Sequence, residues 1–365
     1  MTALATHLKG LIRAEGPMPV AAFMRIVLTG RADSYYMRGE GFGAAGDFVT
    51  APEISQIFGE LIGLWCVDVW RQLGEPARFS LVEMGPGRGT LMKDALRAAR
   101  VASGFLRAAA VAFVEVSPVL RRHQQEALQG AAVASVGWLD RFEDLGAACG
   151  PLIIVANEFF DALPIRQLVR ADGRWVERCI GLGAAGEFVF AAVPHSIDAE
   201  LIPESLRGAA DGSIVELAPA RAAVARAVGE RLKNESGAAL AIDYGYAGPA
   251  TGDTLQAVKG HAYADVLAEP GSADVTSHVD FSALGAAFMD GGAAISALTG
   301  QGEFLKRIGA VERVQALKRS ANAPQAERLE QAYQRLTGDQ AMGSLFKVLC
   351  AYAPARLRPA GFSNE

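Results

Sequence analysis

Long apolar runs, a basic charge excess and closely spaced cysteines are all missing from this sequence, and each absence removes a class of function. No uninterrupted apolar segment is long enough to span a bilayer, because the 51% hydrophobic content is dispersed among charges. A soluble chain without a membrane span is expected. The formal charge of −5 offers no general basic field for a polyanion, so nucleic acid is not an expected partner. The cysteines, Cys66, Cys149, Cys179 and Cys350, have neither zinc-ligand spacing nor the density of a disulfide framework, and reduced, buried thiols are expected. No compact apolar block precedes a small-residue cleavage site, so residues 2–14 read as a helix of the mature protein and the expected location is cytoplasmic. No internal repeat or low-complexity linker divides the chain.

What is present is organised around residues 79–90, Phe-Ser-Leu-Val-Glu-Met-Gly-Pro-Gly-Arg-Gly-Thr. A short β-compatible run ends at Glu83, glycines stand at 85, 87 and 89, and a helix-forming stretch covers 91–100. Strand, tight turn and helix follow in order. Glycines there admit backbone conformations closed to other residues and let a nucleotide-like ligand approach the chain, with free N–H groups at the helix start facing it. From residue 79 strands and helices alternate, the pattern of a doubly wound α/β sheet.

Residues 110–116 form the next strand candidate, placing Glu115 at its carboxyl end, where a carboxylate accepts both hydroxyl hydrogens of a ribose. A dinucleotide fingerprint fits poorly, because Thr90 stands where glycine or alanine belongs and Glu115 lies too far downstream. A Walker phosphate loop fails too, since no Gly-Lys-Ser/Thr element follows. Residues 151–156 read as a central strand delivering Asn157, Glu158, Phe159, Phe160 and Asp161 to the same crevice. Asn157 offers donor and acceptor, Glu158 and Asp161 can orient a cationic nucleophile, and the two phenylalanines can exclude water. The alternative assigns the aromatics to the core and the acids to a helix start.

Upstream, Val20–Leu28 is a helix candidate after Pro17 and Pro19, and glycine-rich residues 39–46 form a loop. Thr50 and Glu53 have capping-box spacing, with Pro52 tolerated early in the helix; Ile54, Ile57, Phe58, Leu61 and Trp65 recur on one face. This pair either starts a core-packing helix or contacts ligand. Downstream, residues 167–170, 175–181 and 187–193 read as antiparallel strands of an insertion. A helix over 222–233 and a strand over 237–244 follow, then helices over 281–289 and 326–336 and late strands over 295–298 and 345–352. Among the polar residues His261, Asp274, Thr276, His278 and Asp280, no metal-ligand order stands out, so no metal is expected. Lys318, Arg319 and Arg328 read as a solvated helix surface.

Glu83 before Gly-Pro-Gly-Arg-Gly resembles the first motif of class I S-adenosylmethionine-dependent methyltransferases, and Glu115 then matches their second-strand acid. The motifs at 46–56 (Gly-Asp-Phe-Val-Thr-Ala-Pro-Glu-Ile-Ser-Gln), 82–90, 157–164 (Asn-Glu-Phe-Phe-Asp-Ala-Leu-Pro), 242–245 (Ile-Asp-Tyr-Gly) and 275–281 (Val-Thr-Ser-His-Val-Asp-Phe) sharpen the likeness. Together they resemble the MidA-like family of protein arginine methyltransferases associated with respiratory complex I assembly. One departure is Ala51, where a serine is expected before Pro-Glu. The resemblance implies a Rossmann-like core at 76–164 and 220–355, covered by an N-terminal helical region at 1–75 and carrying the antiparallel insertion at 165–219. It implies S-adenosyl-L-methionine held by Glu83, Gly85, Gly87, Gly89, Thr90, Glu115 and Asn157, with Glu158, Asp161 and His278 catalytic. The implied reaction is symmetric dimethylation of an arginine on the quinone-site subunit of complex I. A small-molecule methyltransferase or a nonenzymatic assembly factor would keep the same cofactor motifs.

Overall fold

A computed structural model describes residues 2–39, 47, 49–146 and 150–363. The expected loop at 39–46 and Cys149 therefore fall largely outside the described residues. A central sheet runs in the order Ser135–Leu139, Ala109–Val114, Phe79–Met84, Leu152–Asn157, Gly237–Tyr246, Phe346–Ala353 and Ala294–Ile295. The first five strands are parallel and Phe346–Ala353 enters antiparallel. The order reverses beside Phe79–Met84, so the crevice opens at the carboxyl ends of that strand and of Leu152–Asn157.

Both faces of this sheet are covered, which explains why its strands read as nearly continuous apolar runs. Phe79, Leu81, Ile153 and Val155 point to one side, against Phe58, Leu61 and Trp65 of the helix Gln56–Gln72. Val82, Met84, Ile154 and Ala156 point to the other, against Ala225, Val228 and Leu232 of the helix Pro219–Glu235 and Leu284 and Phe288 of Phe281–Asp290. The alternation follows from the two-residue period of a strand. The helix Gln56–Gln72 lies very close to Thr90–Ala98: a Cβ at Gly63 would sit 2.4 Å from the Ala95 carbonyl oxygen.

The insertion forms its own antiparallel sheet from Arg166–Ala171, Arg174–Leu182, Phe188–Ser196 and Ile214–Leu217. It also recruits Met18–Pro19, so the N-terminal region is not purely helical. Leu4, Leu8, Phe23, Met24 and Val27 of the helices Ala3–Glu15 and Val20–Leu28 pack with Ile165, Ile180 and Val275, tying the N-terminus to the insertion and to a small sheet containing Asp274–Thr276.

Two local expectations change. Thr50 precedes only a single turn, Ala51–Ile54, without a side-chain cap; Ser55 caps the long helix instead, accepting from the Ile57 N–H at 3.3 Å. The Ser55 backbone is extended, and this interrupts the expected continuous helix. The late strand expected over 295–298 is split into Ala294–Ile295 and Thr299–Gly300. Between them Ser296 pairs with Cys350 by its main-chain N–H at 2.8 Å and its hydroxyl oxygen at 3.0 Å. The helix Gln301–Arg307 has no counterpart among the expected elements, and Lys318 closes the helix Ala310–Lys318. Cys66, Cys179 and Cys350 are buried, unbridged thiols, and no helix among the described residues is long and apolar enough to cross a membrane.

Candidate active site

A cleft of about 500 Å³ opens at the sheet's reversal point. Its glycine-turn side follows from Phe79–Met84: Gly85, Gly87 and Gly89 all have positive φ, at 64°, 52° and 81°. Gly85 and Gly87 line the cleft, as do Arg88 and Thr90. Gly89 does not. It starts the helix Thr90–Ala98, and a Cβ there would lie 3.2 Å from the Gln124 Cα, so its smallness serves packing against Pro118–Ala127. Glu83 is buried beneath the turn, and burial pushes its carboxyl up to about 8, with the Met92 backbone N–H opposing the shift.

Glu115 stands where its strand ends. Its Oε1 accepts from the Ser117 N–H at 2.8 Å and its Oε2 from Gln124 Nε2 at 3.3 Å; burial raises it to about 7. Gln124 also donates to the Gly87 carbonyl at 2.7 Å and accepts from the Trp138 indole at 2.8 Å, so one buried amide joins the glycine turn to Glu115. Nothing in the sequence pattern singled Gln124 out. Glu53 is likewise in the lining, and its Oε1 accepts from the Thr90 hydroxyl at 2.5 Å instead of closing a capping box. Its competing partner lies 37 positions along the chain, beyond the reach of local spacing.

The acidic side begins at Asn157, the last residue of its strand. Glu158 follows with φ at 49°, a conformation strained for a non-glycine residue, which turns its side chain into the lining. Its Oε1 accepts from the Ala51 N–H and from Asn157 Nδ2, both at 3.3 Å. Burial and the neighbouring Asp161 push it up to about 8. Asp161 is buried in the lining, and burial raises its pKa. Asp243 fixes this turn by accepting from the Phe160 and Asp161 N–H groups, each at 3.1 Å. The buried Arg221 donates to the carbonyls of Asp161 and Ser277 at 3.1 Å and of His278 at 2.6 Å.

Two expectations fail here. Phe159 lines the cleft, but Phe160 turns into the core and meets Phe288 edge-on, with ring centroids 6.3 Å apart. His278 is absent from the lining. Its N–H donates to Thr254 Oγ1 at 2.9 Å and its ring stacks edge-on against Tyr244, so its motif supplies main-chain contacts for Arg221. Asp280 caps the helix Phe281–Asp290, accepting from Ser282 and Ala283. Tyr36 and Asp274 are in the lining although neither was among the expected site residues. Among the described residues no His, Cys, Asp or Glu group is arranged to hold a metal ion.

The glycine-turn side fits a ligand that combines an amine with vicinal hydroxyls. Glu83 Oε2 and Asn157 Oδ1 are buried acceptors without a donor among the described residues, and Glu115 is a further acceptor one strand away.

A sequence-family profile described as "Putative S-adenosyl-L-methionine-dependent methyltransferase" matches residues 61–297. The chain is 37% identical over 376 residues to the Drosophila melanogaster protein arginine methyltransferase NDUFAF7 homolog, mitochondrial, covering 96% of this chain and 84% of that protein. It is 36% identical over 375 residues to the mitochondrial protein arginine methyltransferase NDUFAF7 of Danio rerio, covering 96% and 87%. The mitochondrial naming of these relatives overturns the expected cytoplasmic location. A crystal structure from Burkholderia thailandensis, bound to S-adenosyl-homocysteine, superposes with a TM-score of 0.83 at 29% identity, covering 99% of this chain and 93% of that one. The chain belongs to the MidA-like (NDUFAF7) family of class I S-adenosylmethionine-dependent methyltransferases.

Proposed function

We propose that this chain methylates an arginine side chain of a protein, using S-adenosyl-L-methionine, and that its substrate is the quinone-site subunit of complex I. The observation carrying this reading is the continuity of the cleft: the ligand-accepting turn and Glu115 share one cavity with the half-buried Glu158 and the buried Asp161. The names of the curated relatives support the same chemistry.

Glu83, Glu115 and Asn157 would hold the cofactor by accepting from its amine and hydroxyl donors, with Gly85 and Gly87 allowing its close approach and Thr90 steadied by Glu53. When bound, S-adenosyl-L-methionine supplies a methyl group on a sulfonium, a good electrophile. The remaining work is done by the chain. A guanidinium is charged at physiological pH and its nitrogen is a poor nucleophile, so Glu158 and Asp161 orient it by accepting its N–H groups. Their raised basicity suits them to take up the nitrogen-bound proton that must leave as the new N–C bond forms. Phe159 shields this region from water. Symmetric dimethylation is the product that family membership favours. Residues 76–164 and 220–355 are the catalytic core in this reading, with 1–75 as its cover and 165–219 as the insertion.

The test is incubation of the full chain with labelled S-adenosyl-L-methionine and the purified quinone-site subunit, followed by mass spectrometry of its peptides. Methylarginine is expected; label absent from arginine overturns the reading.

A further inference from the structure

The acidic side of the cleft contains one more carboxylate than the reaction as described uses. Asp274 comes from the strand Asp274–Thr276, is 7% exposed, and lines the same cavity as Glu158 and Asp161. The Tyr36 hydroxyl donates to its Oδ1 at 2.6 Å and also faces the cleft. Burial and then Asp161 raise the Asp274 carboxyl, to about 7, and Glu158 feels both aspartates. These acids therefore share one low-dielectric neighbourhood.

Among the described residues, Arg221 is the buried cation whose charge reaches Asp161, and it opposes the upward shift there. Its Nη1 and Nη2 donate to the main-chain carbonyls of Asp161, Ser277 and His278 and to the Ser277 hydroxyl, while its Nε has no acceptor among the described residues. The arginines in the cleft lining, Arg25, Arg88 and Arg141, are exposed at its rim. Asp161 Oδ1 lies in the cavity wall without a hydrogen-bond donor among the described residues, in a side chain only 4% exposed. A buried acceptor of this kind demands a donor. A guanidinium brings five N–H groups in a rigid plane, enough to bridge carboxylates arriving from different segments, whereas an ammonium brings three from a single point.

We propose that Asp274, positioned by Tyr36, is the specificity-determining carboxylate of a guanidinium cradle completed by Glu158 and Asp161. Arg221 and Asp243 set its width. Arg221 ties the Asp161 turn to residues 277–278, three positions beyond Asp274, and Asp243 holds the same turn from beneath. Asp274 belongs to substrate selection and Glu158 to proton uptake. This inference rests on the arginine reading above.

Its test uses the full chain with S-adenosyl-L-methionine and the purified quinone-site subunit, comparing wild type, D274N and Y36F. For D274N the KM for the subunit is expected to rise by about tenfold to a hundredfold, the value of a charge-assisted hydrogen bond, with a smaller change in kcat. Y36F, which keeps the carboxylate and frees it to rotate, should raise KM by a smaller factor. Affinity for S-adenosyl-L-homocysteine, read by calorimetry, should hold within about twofold in both variants, which separates selection from collapse of the site. An unchanged KM in D274N overturns the inference, as does an unchanged KM in Y36F if D274N has lost cofactor affinity. Wild type that leaves arginine unmethylated overturns the arginine reading itself, and the cradle falls with it.

Discussion

On the glycine-turn side of the cleft, Glu83, Gly85, Gly87 and Thr90 come from one stretch and Glu115 from the end of the next strand. The acidic side draws Tyr36, Glu158, Asp161 and Asp274 from distant parts of the chain, and buried Arg221 and Asp243 brace the turn that carries Asp161. The first side is shaped by backbone conformation, the second by buried charge. Damage should therefore read out differently: loss of affinity on one side, loss of turnover or of folding on the other.

The largest effect is expected at Glu158. E158Q keeps the side-chain size and both acceptor contacts to Ala51 and Asn157 within reach, yet removes the base, so kcat should fall by about a hundredfold to ten-thousandfold in single-turnover assays. A comparable fall for E115Q would erase the contrast between the two sides. R221A tests the scaffold of the acidic side. Removing a buried guanidinium that serves several carbonyls should lower unfolding free energy by about 3 kcal/mol, measured in urea. Away from the cleft lining, where the helix Gln56–Gln72 packs on Thr90–Ala98, G63A drives a Cβ against the Ala95 carbonyl and should cost about 2 kcal/mol in the same experiment without selective loss of turnover.

A smaller effect is expected from pH. Glu83 and Glu158 are both raised to about 8 in the folded chain, above their unfolded range. The unfolded state therefore releases its protons first as pH rises, and stability falls between about pH 4.5 and pH 8, with the full contribution present only below that window. Calorimetric melting across that window should show a declining Tm, and E158Q should flatten part of the decline. An unchanged slope in E158Q would mean that the acidic side is not where the protons are held.

The glycine-turn side was legible because its signals are local. Three glycines in alternate positions after an apolar run specify a turn at a strand end, and Glu115 follows at the end of the next strand. The acidic side was only half legible. Asn157, Glu158 and Asp161 sit together in sequence and so could be read, but Tyr36 meets Asp274 across 238 positions and carries no local signature. Glu53 shows how a correct pattern misleads: its capping-box spacing is genuine, but the Thr90 hydroxyl reaches its carboxylate instead. His278 meets Arg221 and Thr254 through its main chain, while the residue stays outside the cleft lining, a placement that its motif does not signal. Gln124 was invisible for a related reason, since only the tertiary fold brings a mid-helix amide against both the turn and Glu115.

The division of labour is tested most directly by titrating S-adenosyl-L-homocysteine into E115Q and E158Q side by side in a calorimeter. Weakening by about tenfold or more in E115Q, with E158Q within about twofold of wild type, is the predicted result. Equal weakening in both variants would contradict it, because Glu158 would then belong to the cofactor's side of the cleft.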